Sequence, residues 1–169
     1  AYHRAALRLA RAAGDRREEA SALNNVAAVY ADIGGADSAL AYHARALALR
    51  RAAGDRAGEA ITLTNIGAVF ANTGRPDSAL AYYARALPLR RAVGDRGGEA
   101  VTLGNIGAAY RNVGRTDSGL VYYARALSLW RAAGERDGEA TVLHNIGAAW
   151  HDAGRGDSAL TYYASALRL

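Results

Sequence analysis

GDRAGEAITLTNIGAVFANTGRPDSALAYYARALPLRRAV, residues 54–93, is the stretch that decides the fold. Closely similar segments start at residues 14, 94 and 134, so the chain repeats every 40 residues without an insertion. A fixed period of this length is typical of arrays of stacked structural units. Apolar residues recur at the spacing of one helix face in each half, and a glycine ends each half. Each repeat is therefore predicted to be an antiparallel pair of helices, A and B.

The repeat boundaries follow from this alignment. We expect a single domain, residues 1–169, that comprises helix B of a preceding repeat and four further repeats, with boundaries at 1–13, 14–53, 54–93, 94–133 and 134–169. Nine helices result. The aromatic fraction of 8%, beside abundant Ala and Leu, favours closely packed helices over a sheet, so the expected fold class is all-α. Because the chain begins with Ala1 inside helical periodicity, we expect a segment of a longer polypeptide.

The apolar positions of the repeat form a recognisable signature. In the second repeat they are Leu63, Ile66, Gly67, Phe70, Ala79, Tyr83 and Ala86. This order of large, small, aromatic and alanine residues resembles the tetratricopeptide repeat. The 40-residue period is similar to the long-repeat subgroup of kinesin light chains, spindle-orientation adaptors and bacterial repeats associated with CHAT domains. The resemblance implies a right-handed α-solenoid with these residues in its core and helix A on the concave side.

Residue types at the helix ends agree with this assignment. Glycine follows each of the first eight predicted helices, where a left-handed residue commonly ends a helix. An acidic residue precedes every A helix, where it can cap free backbone amides or face the positive end of the helix dipole. These acidic residues are Asp15, Asp55, Asp95 and Glu135.

One polar column of helix A is constant, namely Asn25, Asn65, Asn105 and Asn145. A carboxamide offers both a donor and an acceptor, so it can bind a peptide amide at two points, and regularly spaced copies can follow an extended backbone. In the resembled adaptors, asparagine at this place contacts peptide backbone. The alternative is that each asparagine hydrogen-bonds a neighbouring helix and specifies the stack.

We call the four constant asparagines the asparagine ladder. Three columns beside it vary between repeats, and they are Asn24, Thr64, Gly104, His144; Ala31, Ala71, Arg111, His151; and Asp32, Asn72, Asn112, Asp152. Variation on a constant frame indicates either ligand specificity or neutral drift of solvated surface. We include Asn72, Asn112, Arg111, His144 and His151 in the predicted groove, with Arg111 able to grip an acidic group. His3 and His43 replace the tyrosine of the other repeats and are interpreted as packing residues.

No catalytic, cofactor or metal site is predicted. The chain lacks Cys, which excludes thiolate chemistry. His144 and His151 lie two turns apart, about 10 Å, which is too far to share a zinc ion. The glycines lie between helices without the strand or the GK[ST] ending of a phosphate loop.

Charge and hydropathy narrow the partners. The net charge is +5, yet 16 acidic residues are interleaved with the 21 arginines, which favours a protein partner over nucleic acid. No apolar run approaches the ~20 residues that a membrane-spanning helix needs, so no membrane partner is expected.

We therefore predict a scaffold, not an enzyme, that binds a peptide or partner domain in its concave groove. One alternative is a structural module that stacks end to end into a solenoid filament, because a non-closing interface between copies makes a fibre. Another is a regulatory repeat region of a larger enzyme. The first hypothesis suits the cytoplasm and the filament suits the extracellular space, but the sequence does not decide the compartment.

Overall fold

The computed structural model describes residues 2–169, with side chains from Ala5 onward, and in this part of the chain it contains nine helices and no strand. The all-α, tetratricopeptide-like fold class is thereby confirmed. The side chain of His3 lies outside the described residues. The helices are α1 Tyr2–Ala13, α2 Arg16–Asp32, α3 Ala36–Ala52, α4 Arg56–Asn72, α5 Pro76–Ala92, α6 Arg96–Asn112, α7 Thr116–Ala133, α8 Arg136–Asp152 and α9 Gly156–Ala166.

The chain divides into two compact units. The first unit is Ala1–Val93 and the second unit is Gly94–Leu169, so the division falls at the predicted boundary between the repeats 54–93 and 94–133. In each unit every A helix packs on the B helix that follows it, as α2 on α3 and α6 on α7. The A helices also contact each other, α2 with α4 and α6 with α8. That residues 1–169 form one domain stays a prediction.

The predicted helix ends are confirmed for the glycines and the aspartates. A glycine with a φ angle between 64° and 77° lies one or two residues beyond the C-terminal end of each of the first eight helices. Asp15 accepts backbone hydrogen bonds from Arg17 and Glu18 at 3.0 Å. Asp55 and Asp95 cap α4 and α6 in the same way, on Gly58 and Gly98. Glu135 lies at the N-cap of α8 but makes no side-chain cap hydrogen bond.

A tight contact between helices A and B depends on a glycine. A Cβ atom on Gly67 would lie 2.4 Å from Cε1 of Tyr83, so the tyrosine ring needs a glycine beneath it. Gly107 under Tyr123 and Gly147 under Tyr163 repeat this arrangement. The seven apolar signature residues of the second repeat, named above, are all buried. The first repeat has Ala27 and His43 at the same two places.

Many arginines rest on aromatic rings. Aromatic side chains of helices A and B stack in pairs, with ring centroids 5.3 Å apart for Phe70 and Tyr82. Guanidinium groups lie over these rings, as for Arg75 at 4.5 Å from the Phe70 centroid. Corresponding contacts are made by Arg45, Arg85, Arg115, Arg125 and Arg155. Part of the positive charge is thus held at repeat positions by cation–π contacts.

Candidate functional site

The structure places the asparagine ladder on the four complete A helices. Asn25 on α2 is exposed, whereas Asn65 on α4, Asn105 on α6 and Asn145 on α8 are half-buried. Their neighbour Asn24, by contrast, is buried. The second unit brings two members of the ladder, Asn105 and Asn145, to the same concavity.

This concavity is a cleft between α6 and α8, with a volume of about 320 Å³. One wall comes from α6, the other from α8, and Trp130 near the end of α7 adds an aromatic surface. The lining residues are Ala100, Val101, Gly104, Asn105, Ala108, Trp130, Asp137, Gly138, Thr141, Val142 and Asn145. The cleft therefore combines two carboxamides, one carboxylate and one indole with mainly small apolar residues.

Two glycines shape the cleft. A Cβ atom added to Gly104 would meet no other atom within 4 Å, so this position faces open space. A Cβ atom on Gly138 would instead lie 2.4 Å from Cδ2 of Trp130, so the indole packs directly on the backbone of α8. Because Gly104 has no side chain, the cleft stays open at this position. Because Gly138 has no side chain, the indole of Trp130 can contact the backbone of α8.

The corresponding place between α2 and α4 in the first unit is occupied by a hydrogen-bonded chain. Asn24 donates from Nδ2 to Oγ1 of Thr62 at 3.1 Å, and its Oδ1 lies 2.7 Å from Nδ1 of His43. Thr62 donates in turn to the carbonyl oxygen of Gly58, which also accepts from the guanidinium of Arg50. The placement of Asn24 on a variable surface is therefore wrong, because this side chain is buried and hydrogen-bonds between helices. Thr64 in the same column is also buried.

His43 is a buried neutral base in this chain. Since the amide nitrogen of Asn24 donates to Thr62, its oxygen must accept, and Nδ1 of the neutral His43 ring carries the proton. Burial, and secondly the charge of Arg50, lowers the pKa of His43 from 6.5 to about 4. The interpretation of His43 as a packing residue is correct but incomplete, because the imidazole also links α3 to α2 by a hydrogen bond.

The remaining predicted groove residues lie outside the cleft. Arg111 pairs with Asp152 at 3.5 Å, so its guanidinium already has a carboxylate partner. His151 lies 3.7 Å from the same carboxylate, while the ring of His144 packs on Tyr163 with centroids 5.1 Å apart. Asn72 and Asn112 are the exposed last residues of α4 and α6. Among the described residues, no three His, Asp or Glu side chains are grouped as metal ligands.

Sequence reasoning missed Trp130, Asp137 and Gly138. The signal was present, because Trp130 stands where the two preceding repeats have Arg50 and Arg90. This departure from the arginine of the two preceding repeats indicates different side-chain contacts in the third repeat. The predicted ligand contacts all lie in the asparagine ladder and the columns beside it, whereas Trp130 lies on helix B and Asp137 and Gly138 lie in the first turn of α8.

The family model of the tetratricopeptide repeat matches residues 18–92 and 98–169. The chain belongs to the tetratricopeptide repeat family. No curated protein matches this tetratricopeptide chain. None of its described helices combines the length and the apolar character that crossing a bilayer requires.

Solved structures of similar fold include three informative cases. BtubC (BKLC) from P. vanneervenii is 22% identical with a TM-score of 0.80, over 91% of this chain and 64% of that one. A Rap protein complexed with Competence and Sporulation Factor is 18% identical with a TM-score of 0.84, over 91% and 43%. The kinesin light chain-like repeats of Podosopora anserina are 9% identical with a TM-score of 0.72, over 89% and 74%. The chain thus spans 64% or less of the length of BtubC and of the Rap protein.

Proposed function

We propose that this tetratricopeptide chain is a protein-interaction module that binds an extended peptide segment in the cleft between α6 and α8. The observation that carries the proposal is that Asn105 and Asn145, the same residue from two successive A helices, line one cleft. A repeat scaffold with this fold is consistent with protein–protein interaction, and a Rap protein of similar fold forms a complex with Competence and Sporulation Factor.

The chemistry of the cleft suits a peptide backbone. Each carboxamide can donate to a peptide carbonyl and accept from a peptide N–H, which satisfies an extended segment that has no internal hydrogen bonds. The floor of Ala100, Ala108 and Val142 provides apolar area for side chains that alternate with these contacts. The open space at Gly104 lets the backbone approach α6 closely. Asn25 and Asn65 of the first unit stay predicted contacts of the same kind.

The test is the double variant Asn105→Ala, Asn145→Ala against peptides selected from a random phage-displayed library on the unaltered chain. Each lost hydrogen bond weakens binding by about 0.5–1.5 kcal/mol, so we expect the Kd of selected peptides to rise at least about tenfold. Unchanged Kd values would exclude the cleft as the binding site. Circular dichroism checks that the double variant remains folded, and Asp117→Asn on the exposed start of α7 is the control for substitution elsewhere in the unit.

The variant Asn112→Ala tests, in the same assay, whether the contact surface extends beyond the cleft. Asn112 lies seven residues beyond Asn105 on α6, outside the cleft lining. A rise in Kd for this variant would extend the contact surface to the end of α6, as predicted from the sequence for Asn112. An unchanged Kd would restrict the surface to the cleft.

End-to-end stacking into a filament is the second candidate function. It is favoured by two large apolar side chains, since Leu9 on α1 is 71% exposed and Leu160 on α9 is 66% exposed. Light scattering and electron microscopy over a concentration series test this proposal. Fibres that disappear in a Leu160→Arg variant would support it, and a monomer at all concentrations would overturn it.

The third hypothesis, a regulatory repeat region of a larger enzyme, stays a prediction, as does the absence of catalysis within this chain.

A further inference from the structure

We propose that the cleft between α6 and α8 recognises an arginine side chain of the bound peptide, held between Trp130 and Asp137. The inference rests on the proposed function, because it names the residue that the peptide presents to this cleft. It is carried by a comparison of equivalent positions in the two units.

Two equivalent repeat positions carry different charges in the two units. In the first unit they hold Arg50, whose buried guanidinium donates to the carbonyl oxygen of Gly58, and Ala57. In the second unit they hold Trp130 and Asp137. The summed charge at this pair of positions therefore changes from +1 to −1. The first unit carries its own guanidinium at this place, whereas the second unit replaces it by an aromatic wall and a carboxylate.

The lining groups match a guanidinium in kind. An indole is the best aromatic partner for a cation, and Trp130 lines the cleft with Gly138 packed against it. The carboxylate of Asp137 can accept paired N–H donors, and the carbonyl oxygens of Asn105 and Asn145 can accept the others. The volume of about 320 Å³ also gives room for a long side chain and part of the adjoining backbone.

Asp137 is available for such a pairing. In this unit Arg131 pairs with Glu139 at 2.7 Å and Arg111 pairs with Asp152 at 3.5 Å, and neither of these ion pairs uses Asp137. The backbone oxygen of Asp137 accepts a hydrogen bond from the hydroxyl of Thr141. The residue itself is exposed and lines the cleft.

Other side chains fit this cleft less well. An acidic residue would be repelled by Asp137, and an apolar residue would leave the Asp137 carboxylate without a partner at the interface. Lysine has the charge but not the planar fork that stacks on an indole and donates to a carboxylate at the same time. Arginine is therefore the expected residue.

The experiment uses the full chain and the library-selected peptides of the preceding test. Each selected peptide is resynthesised with citrulline, lysine or norleucine in place of arginine, and Kd is measured by isothermal titration calorimetry. We expect arginine to be enriched, citrulline to weaken binding about tenfold, and Asp137→Asn to weaken binding by a similar factor. Asp117→Asn is the matched control, because it removes an exposed carboxylate from the same unit outside the cleft.

Trp130 provides a second readout. Since Trp130 and Trp150 are the two tryptophans, a Trp150→Phe variant reports on Trp130 alone by fluorescence. An arginine peptide should change this emission, and its citrulline form should need about tenfold more peptide for the same change.

The outcomes separate the two proposals. Peptides that depend on Asn105 and Asn145 but bind equally well with citrulline, or to Asp137→Asn, would overturn arginine recognition and leave the proposed function standing. If no selected peptide depends on the asparagines, the proposed function fails and the inference fails with it.

Discussion

Between α2 and α4 of the first unit, a chain of hydrogen bonds joins His43, Asn24, Thr62 and the backbone of Gly58. Between α6 and α8 of the second unit, the same place is an open cleft. Both interfaces have the same helix spacing in sequence and the same turn glycines. The difference comes from a few side chains, chiefly Asn24 against Gly104 and Arg50 against Trp130. A repeat frame thus specifies where helices meet, while single positions decide whether the meeting place is filled or open.

Acidification should weaken the first unit and provides the largest expected effect. The pKa of His43 is about 4 in the folded chain against 6.5 in the unfolded chain, so the unfolded state binds the proton first. The contribution of neutral His43 to the free energy of unfolding is complete above pH 6.5. As the pH falls from 6.5 to 4, the free energy of unfolding decreases by about 3 kcal/mol. Urea unfolding followed by circular dichroism at both pH values measures this loss.

The control for this titration is the double variant Ala27→Gly, His43→Tyr, which restores the glycine–tyrosine pair of the other repeats. Its unfolding free energy should lose the part of the pH dependence that His43 causes. An equally steep dependence in this variant would show that other groups are responsible.

Removing the centre of the hydrogen-bonded chain should have the next largest effect. Asn24→Ala leaves Nδ1 of His43 and Oγ1 of Thr62 with a lost partner inside the protein, and we expect the unfolding free energy to fall by about 2 kcal/mol. Hydrogen exchange of the α2 and α4 amides should accelerate, while exchange in α6 and α8 should not. Uniform acceleration in both units would contradict a local role.

Crowding the wall of the cleft should produce a smaller loss. Gly138→Ala places a methyl group against the indole of Trp130, which must move, at a cost of about 1–2 kcal/mol. The emission of Trp130 in a Trp150→Phe background should shift toward that of a more solvated indole. An unchanged spectrum and stability would mean that the contact between Trp130 and α8 is looser than described.

The smallest effect is expected at the open position of the cleft. Gly104→Ala adds a methyl group where nothing lies within 4 Å and replaces a poor helix former, so stability should rise by up to about 1 kcal/mol. Thermal unfolding measures the gain. Because the methyl group enters the cleft, peptide Kd should rise at the same time, and a more stable variant with tighter peptide binding would contradict the proposed site.

Much of the fold was predictable from local chemistry. The 40-residue period, the apolar spacing and the turn glycines identified the helices, and the aspartates Asp15, Asp55 and Asp95 identified the starts of three A helices. Glu135 at the same place does not cap with its side chain. These features were readable because helix geometry and helix ends depend on residues within a few positions of one another.

The candidate site was predicted only in part. The ladder included Asn105 and Asn145, but it gave no reason to prefer them over Asn25 and Asn65. The sequence places Asn24 on the surface, because a polar residue beside a polar column is expected to be exposed unless its hydrogen-bond partners are known. Those partners, His43 and Thr62, are 19 and 38 residues away in sequence.

The sequence by itself determined the repeat, the helix pairs and the family, since each rests on spacing within 40 residues. Only the tertiary structure decided which polar side chains are used between helices and where a cleft opens. The physical reason is that burial and open space depend on side chains from three different helices, here α6, α7 and α8. These helices belong to two successive repeats, so the pattern within one repeat does not show how their side chains meet.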